Sequence, residues 1–294
     1  EAEAAYLKAA EINPQEIKPY MALANFYEAV GNPEKTLASY QKAKELEPEN
    51  VQIRLAIARY YLAQGAVEDA ENQVSEILSN RPNYFPARLL KAEILIIRQE
   101  FSSAIEILDQ LIKEDPRDAR VHYFKGFAHF TKGELKSAKL ALATAVDLQP
   151  TFIKAQLLLA EAYLRTRDIE LAKKETQEVL KRQPANYQAK LTLGNAYMAE
   201  KEFMLAQNTF ETMIEMAPDI PVGYSRLGLL QYFLGKYEPA LKNFEKALEL
   251  APEWPDSYLY LAQVTLRNRS SSDEVEDSKS EVYDALQKAF ENGL

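Results

Sequence analysis

Small and bulky apolar residues recur along this chain with a period much longer than a helical turn. Ala24, Ala58, Ala92, Gly126, Ala160, Gly194, Gly228 and Ala262 are spaced by 34 residues, and the residue just before six of them is Leu or Ile. Thr36, Ala70, Ala104, Ala138, Ala172, Ala206 and Ala240 form a second series of the same period, followed four residues later by Tyr40, Val74, Leu108, Leu142, Phe210 and Phe244 in six of the seven repeats. Spacings of three and four place the bulky groups on one face of a helix, and small residues at fixed helical positions let two backbones approach closely. The pattern predicts two helices per period, packed as a hairpin. Nothing in it suggests strands.

The punctuation has the same period. Pro14, Pro48, Pro82, Pro116, Pro150, Pro184, Pro218 and Pro252 stand 34 residues apart, and a repeat of that length signals a solenoid or array. Repeats are taken to start at Ile17, Val51, Phe85, Ala119, Ile153, Tyr187, Pro221 and Pro255. Gly31, Gly65, Gly133 and Gly235 then fall at position fifteen, where the turn between two helices needs a permissive backbone. The off-register prolines Pro19, Pro33, Pro86, Pro221, Pro239 and Pro255 lie near expected helix starts, where the missing N–H costs little.

Residues 1–16 are expected to be the second helix of a truncated repeat, because Ala2, Tyr6 and Ala9 match positions twenty, twenty-four and twenty-seven. Seven repeats follow at 17–50, 51–84, 85–118, 119–152, 153–186, 187–220 and 221–254. An eighth, at 255–294, is degenerate: the Ser- and acid-rich stretch 269–280 reads as a flexible insertion before a displaced helix at 282–291. Starting at Glu1 without a methionine or a signal-like segment, the sequence is expected to begin inside a longer product.

The segment Tyr224 to Gln231, followed by Gly235, Tyr237, Ala240, Phe244, Ala247 and Pro252, resembles the tetratricopeptide repeat, and the likeness extends over nearly the whole chain. Departures are Gln231 at position eleven, usually Tyr, and Lys91 and Lys125 at position seven, usually Leu. The resemblance implies an all-α fold, a right-handed superhelical solenoid of antiparallel helix hairpins that binds other proteins. In such proteins the first helix of each hairpin lines a concave face through positions two, five, nine, twelve and thirteen.

Those positions place Leu55, Arg59 and Leu62 in the expected groove, then Leu89, Glu93, Ile96 and Ile97, then Tyr123, Phe127 and Phe130. Leu157, Glu161, Leu164 and Arg165 follow, then Leu191 and Asn195, and finally Leu229, Tyr232 and Phe233. A groove that is apolar and aromatic at its middle suits an amphipathic helix or an extended apolar peptide, with Tyr123, Phe127 and Phe130 as its centre. Tight winding is the competing expectation, burying some of these side chains against neighbouring repeats. Position five is never Lys, which argues against a clamp for an acidic C-terminus. At position nine Asn occurs only as Asn25 and Asn195, so there is no asparagine ladder.

Charge and chemistry narrow the function further. The formal net charge of −9, with no basic cluster, argues against nucleic acid and anionic membrane surfaces as partners. The absence of cysteine removes thiol catalysis and Cys-ligated zinc. His122 and His129, at positions four and eleven, have no acidic or Cys partner in a metal-binding spacing and are expected to pack in the core or groove. No phosphate-cradling glycine motif occurs. Neither an enzyme nor a cofactor is expected. The longest strongly apolar run, Ile94 to Ile97, is far too short to span a bilayer.

The leading expectation is a binding scaffold, with some likeness to bacterial repeat proteins of envelope assembly and polysaccharide export. That likeness allows the periplasm or envelope as well as the cytoplasm. Alternatives are the recruiting arm of a larger enzyme, or self-association through terminal helices.

Overall fold

The structure is a computed structural model that describes residues 1–269 and 287–288. Apart from Arg269, the expected insertion at 269–280 lies outside the described residues, as does most of the helix expected at 282–291. The described residues are all-α, and the chain divides into two compact units, 1–148 and 149–294.

The first unit holds α1 (Ala2–Ile12), α2 (Ile17–Ala29), α3 (Pro33–Leu46), α4 (Val51–Ala63) and α5 (Val67–Asn80). It continues with α6 (Phe85–Ile97), α7 (Phe101–Glu114), α8 (Ala119–Thr131) and α9 (Leu135–Leu148). The pairs α2–α3, α4–α5, α6–α7 and α8–α9 pack as hairpins, and α3, α5 and α7 also touch the first helix of the next pair. The second unit repeats the scheme with α10 (Ile153–Arg165), α11 (Ile169–Arg182), α12 (Tyr187–Ala199) and α13 (Phe203–Met216). Its remaining helices are α14 (Pro221–Phe233), α15 (Tyr237–Leu250) and α16 (Pro255–Arg269).

Each hairpin is joined where a small residue at position eight meets the side chain at position twenty-four. An atom at the Cβ place of Gly126 would lie 2.5 Å from Leu142 Cγ, and one at Gly194 would overlap the ring of Phe210. Ala58 and Ala160 at position eight face Val74 and Thr176, while Ala24 and Ala92 face the larger Tyr40 and Leu108. The Thr176 hydroxyl, which breaks the apolar series, donates 2.9 Å bonds to the carbonyls of Ala172 and Lys173. Its burial therefore leaves no polar group unsatisfied. Phe210 and Phe244 are fully buried, each contributing about 2–3 kcal/mol of transfer free energy.

The turn inside each hairpin is closed by the backbone. Position fifteen is left-handed in all seven repeats: at Gly31, Gly65, Gly133 and Gly235, and also at Gln99, Arg167 and Lys201, with φ between 60° and 63°. The following N–H reaches back five residues, as in Ala66 to Tyr61 at 2.9 Å and Glu100 to Leu95 at 2.8 Å. This 6→1 closure satisfies a carbonyl at the helix end. It needs the left-handed residue whatever its side chain.

Between hairpins the periodic prolines end the helices. Glu47, just before Pro48, leaves helical geometry at φ −132° and ψ 76°, while its own N–H still bonds Ala43 at 3.1 Å. Proline disfavours the helical conformation in the preceding residue and offers no N–H of its own. Residues at position four then staple the turn: Tyr20 donates to the Pro14 carbonyl at 3.2 Å and Arg54 to that of Pro48 at 3.2 Å. His122 makes the same bond to Pro116 at 3.0 Å. A carbonyl only accepts, so His122 Nε2 carries the proton.

Two outcomes follow for stability, both read from urea denaturation midpoints. A left-handed residue with a Cβ costs about 1–2 kcal/mol, against which glycine loses part in chain entropy. Gln99→Gly, Arg167→Gly and Lys201→Gly should therefore each stabilise by about 0.5–1 kcal/mol, and Gly65→Ala should destabilise by about 1 kcal/mol. Helix propensity favours Ala over Gly, yet Gly194→Ala should destabilise by about 1–2 kcal/mol through its collision with Phe210. Adding Phe210→Leu should recover part of that loss. A neutral or stabilising Gly194→Ala would contradict the crossing as the closest contact.

Candidate protein-binding surface

The first helices of the hairpins carry the positions that should face a partner. In the first unit these helices touch in sequence, α4 against α6 and α6 against α8, so their side chains form one surface there. Leu55, Leu89, Ile96 and Phe130 are buried and supply the floor of that surface, while Leu62, Glu93, Tyr123 and Phe127 are half-buried and Arg59 is exposed. Leu89 and Ile96 form one cluster with Leu108 and Leu111, and Phe127 packs on it from outside. Leu62 lies in the same way against the cluster that contains Leu55. Four side chains expected to meet a partner thus hold the hairpins together. Ile97, 46% exposed, adds apolar surface at the end of α6.

The aromatic pair is ordered by its spacing. Tyr123 and Phe127, four residues apart on α8, stack in parallel with centroids 6.2 Å apart and planes 5° apart. Phe124 meets Tyr123 edge-on at 5.2 Å. Burial, with the negative charge of Glu93, raises the pKa of the Tyr123 phenol, which keeps it a neutral hydrogen-bonding group. The pair offers a flat face with a polar tip, a form that suits recognition.

In the second unit Leu157, Glu161, Leu164, Leu191, Asn195, Leu229 and Tyr232 are half-buried, and Arg165 is exposed. Arg165 pairs with Glu161 one turn earlier at 2.9 Å. Leu191 packs beside Phe210 and Met213, whereas Leu229 and Tyr232 pack around Phe244. Phe233 is 64% exposed at the end of α14. Gln231, the departure at position eleven, accepts from Asn243 at 2.8 Å and so replaces an aromatic contact with a polar link between α14 and α15.

Sequence models described as "Tetratricopeptide repeat" match residues 28–86, 75–126, 119–152, 157–219 and 221–253. The chain belongs to the tetratricopeptide-repeat family. Arrays of such hairpins act as protein-interaction scaffolds. A comparison with curated proteins gives no match.

Among solved structures, a chain of the APC/C hetero-tetramer Cut9–Hcn1 is similar at TM-score 0.67 and 16% identity, over 97% of this chain and 58% of that one. A tetratricopeptide repeat protein from Parabacteroides merdae ATCC 43184 is similar at TM-score 0.60 and 13% identity, over 93% and 98%. MamA 41-end from Desulfovibrio magneticus RS-1 is similar at TM-score 0.53 and 18% identity, over 57% and 95%. At these identities the likeness establishes the fold alone. Among the described residues, no group of three or more His, Cys, Asp or Glu is placed to hold a metal ion. None of the described helices is long and apolar enough to cross a membrane.

The helix that presents the aromatic pair depends on its N-cap. Asp118 Oδ1 accepts from the Arg120 N–H at 2.9 Å and from Arg120 Nε at 3.0 Å. Burial pushes the Asp118 carboxyl up, but the hydrogen bonds and charge of Arg120 outweigh it and hold the group below its ordinary 3.8. Its stabilisation is therefore present above that value and is lost as pH falls through the lowered folded value. Asp118→Ala should cost about 1 kcal/mol near neutral pH. In thermal melts across pH, the gap between the two proteins should close in acid.

Proposed function

We propose that this chain is a protein-interaction scaffold that captures one segment of a partner, an amphipathic helix or an extended apolar peptide, on the first-helix surface of its first unit. The observation that carries this reading is the parallel Tyr123–Phe127 stack, half-exposed above the buried Leu89 and Ile96, with Glu93 and Arg59 on the same helical positions of earlier repeats. Rigid aromatic side chains on a packed floor lose little conformational entropy on binding and dominate interface energies. Charged groups flanking apolar ground favour a partner with both an apolar stripe and polar edges.

A second reading rests on α1, where Tyr6, Leu7 and Ile12 are all exposed. These positions favour self-association. An array that only assembles with itself would leave the Tyr123–Phe127 surface without a ligand.

The test places a photoreactive side chain at Phe127, Leu7 or Met204, the last being 80% exposed on α13 and serving as control. Illumination in native extract should yield a heterologous adduct from position 127 that is absent from 204. With the captured partner purified, Tyr123→Ala and Phe127→Ala should each weaken binding by about tenfold or more, with helical content unchanged. Adducts formed equally at 127 and 204 would overturn the surface assignment. Adducts confined to position 7 and consisting of this same chain would favour the second reading.

A further inference from the structure

On the side of its first helix that faces away from the aromatic pair, repeat four combines three basic side chains at positions four, seven and eleven, where repeat three has two. Positions four, seven and eleven are His122, Lys125 and His129, while in repeat two positions seven and eleven are Ile57 and Tyr61. In both repeats these residues line a pocket of about 290 Å³ between neighbouring second helices. In repeat four the pocket lies between α7 and α9, floored by α8; Ser137 is on its wall, Ile112 and Leu140 add aliphatic surface, and no carboxylate lines it.

The hydrogen bonds of the two imidazoles are complementary. His122 uses Nε2 to donate to the Pro116 carbonyl at 3.0 Å, and His129 uses Nδ1 toward the Glu134 carboxylate at 2.7 Å. Both partners accept in either protonation state of the ring. Adding a proton therefore breaks neither bond; it converts the second nitrogen of each ring, Nδ1 of His122 and Nε2 of His129, from an acceptor into a donor. The remaining charged groups are paired at the margins. Asp109 on α7 meets Lys125 at 2.6 Å, and Glu134 also meets Lys132 at 2.6 Å. Hydrogen bonds from Lys132 and His129 hold the Glu134 carboxyl below its ordinary value, so it stays ionised in mild acid. Lys125 retains two N–H donors beyond the one given to Asp109.

We infer that the α7–α8–α9 pocket is a proton-linked binding site for a small oxyanion, a phosphate or carboxylate group held by Lys125, the second nitrogens of His122 and His129, and Ser137. The site stands on a different face of α8 from the proposed partner surface and does not depend on it. Its volume approaches the lower end of small-ligand pockets. Charge-assisted donors around an apolar-rimmed hollow are the chemistry that selects such groups.

Only two histidines exist in the chain, so both imidazole signals in a nitrogen-resolved NMR spectrum report on this pocket. Inorganic phosphate in one series and acetate in another would be titrated into the intact chain near pH 5.5 and near pH 8, at constant ionic strength. Saturable shifts of both imidazoles are expected with at least one anion, which thereby identifies the preferred group, and half-saturation should occur at an at least tenfold lower concentration in acid. Lys125→Leu restores the residue usual at that position, so the variant should fold; it should raise half-saturation by at least about tenfold. Shifts that rise linearly with both anions would overturn the inference. So would saturation that is indifferent to pH, or to Lys125→Leu in a variant whose helical content matches the parent.

Discussion

In the seven described hairpins, the first and second helices meet at the crossing of position eight against position twenty-four, and much else follows from how close that approach is. A missing or single-carbon side chain at Gly126, Gly194 or Ala58 admits Leu142, Phe210 or Val74 to the backbone of the first helix. Interiors pack like crystals of small molecules, so a change of volume at either position is felt at the other. The backbone devices at either end serve this contact. A left-handed residue at position fifteen reverses the chain tightly enough for the helices to meet, and the periodic proline releases the second helix in time to start the next first helix.

With the crossing in place, each first helix packs against the second helix of its own hairpin, and its faces take different roles. On α8, Gly126 faces α9, Tyr123 and Phe127 form the aromatic stack, and His122, Lys125 and His129 line the pocket. The spacings i, i+4 and i, i+3, i+7 keep these groups on separate faces of one thirteen-residue helix. A scaffold can thus vary two of the three faces while the third preserves the hairpin.

The helical period, the turns and the core positions were legible from the order of residues, since proline, glycine and alanine act through the local backbone or through an absent side chain. The glycine pattern under-reported one feature. Gln99, Arg167 and Lys201 take the left-handed conformation as the glycines do, because the Schellman bond and the packed helices on both sides impose it against local preference. The histidines were expected to pack in core or groove. Both are half-buried, and in addition they bond a turn carbonyl and a carboxylate and line a pocket with Lys125. The signal in the sequence was Lys125 at a position usually Leu, with His122 and His129 one turn to either side on the same helical face, legible only once that face was known to line a hollow.

The sequence by itself determined the all-α hairpin array and the family, because a strict period repeats the same short-range constraints in every unit. Tertiary structure alone decided which members of the expected binding face remain available to a partner. Leu55 and Leu89 share position five with the half-buried Tyr123, and Ile96 and Phe130 share position twelve with the half-buried Leu62 and Leu164, yet these four are buried. Helical position specifies the direction of a side chain from its axis; how much of it meets water depends on the volume of residues that other helices bring against it, such as Leu108 and Leu111 of α7 beside Leu89 and Ile96.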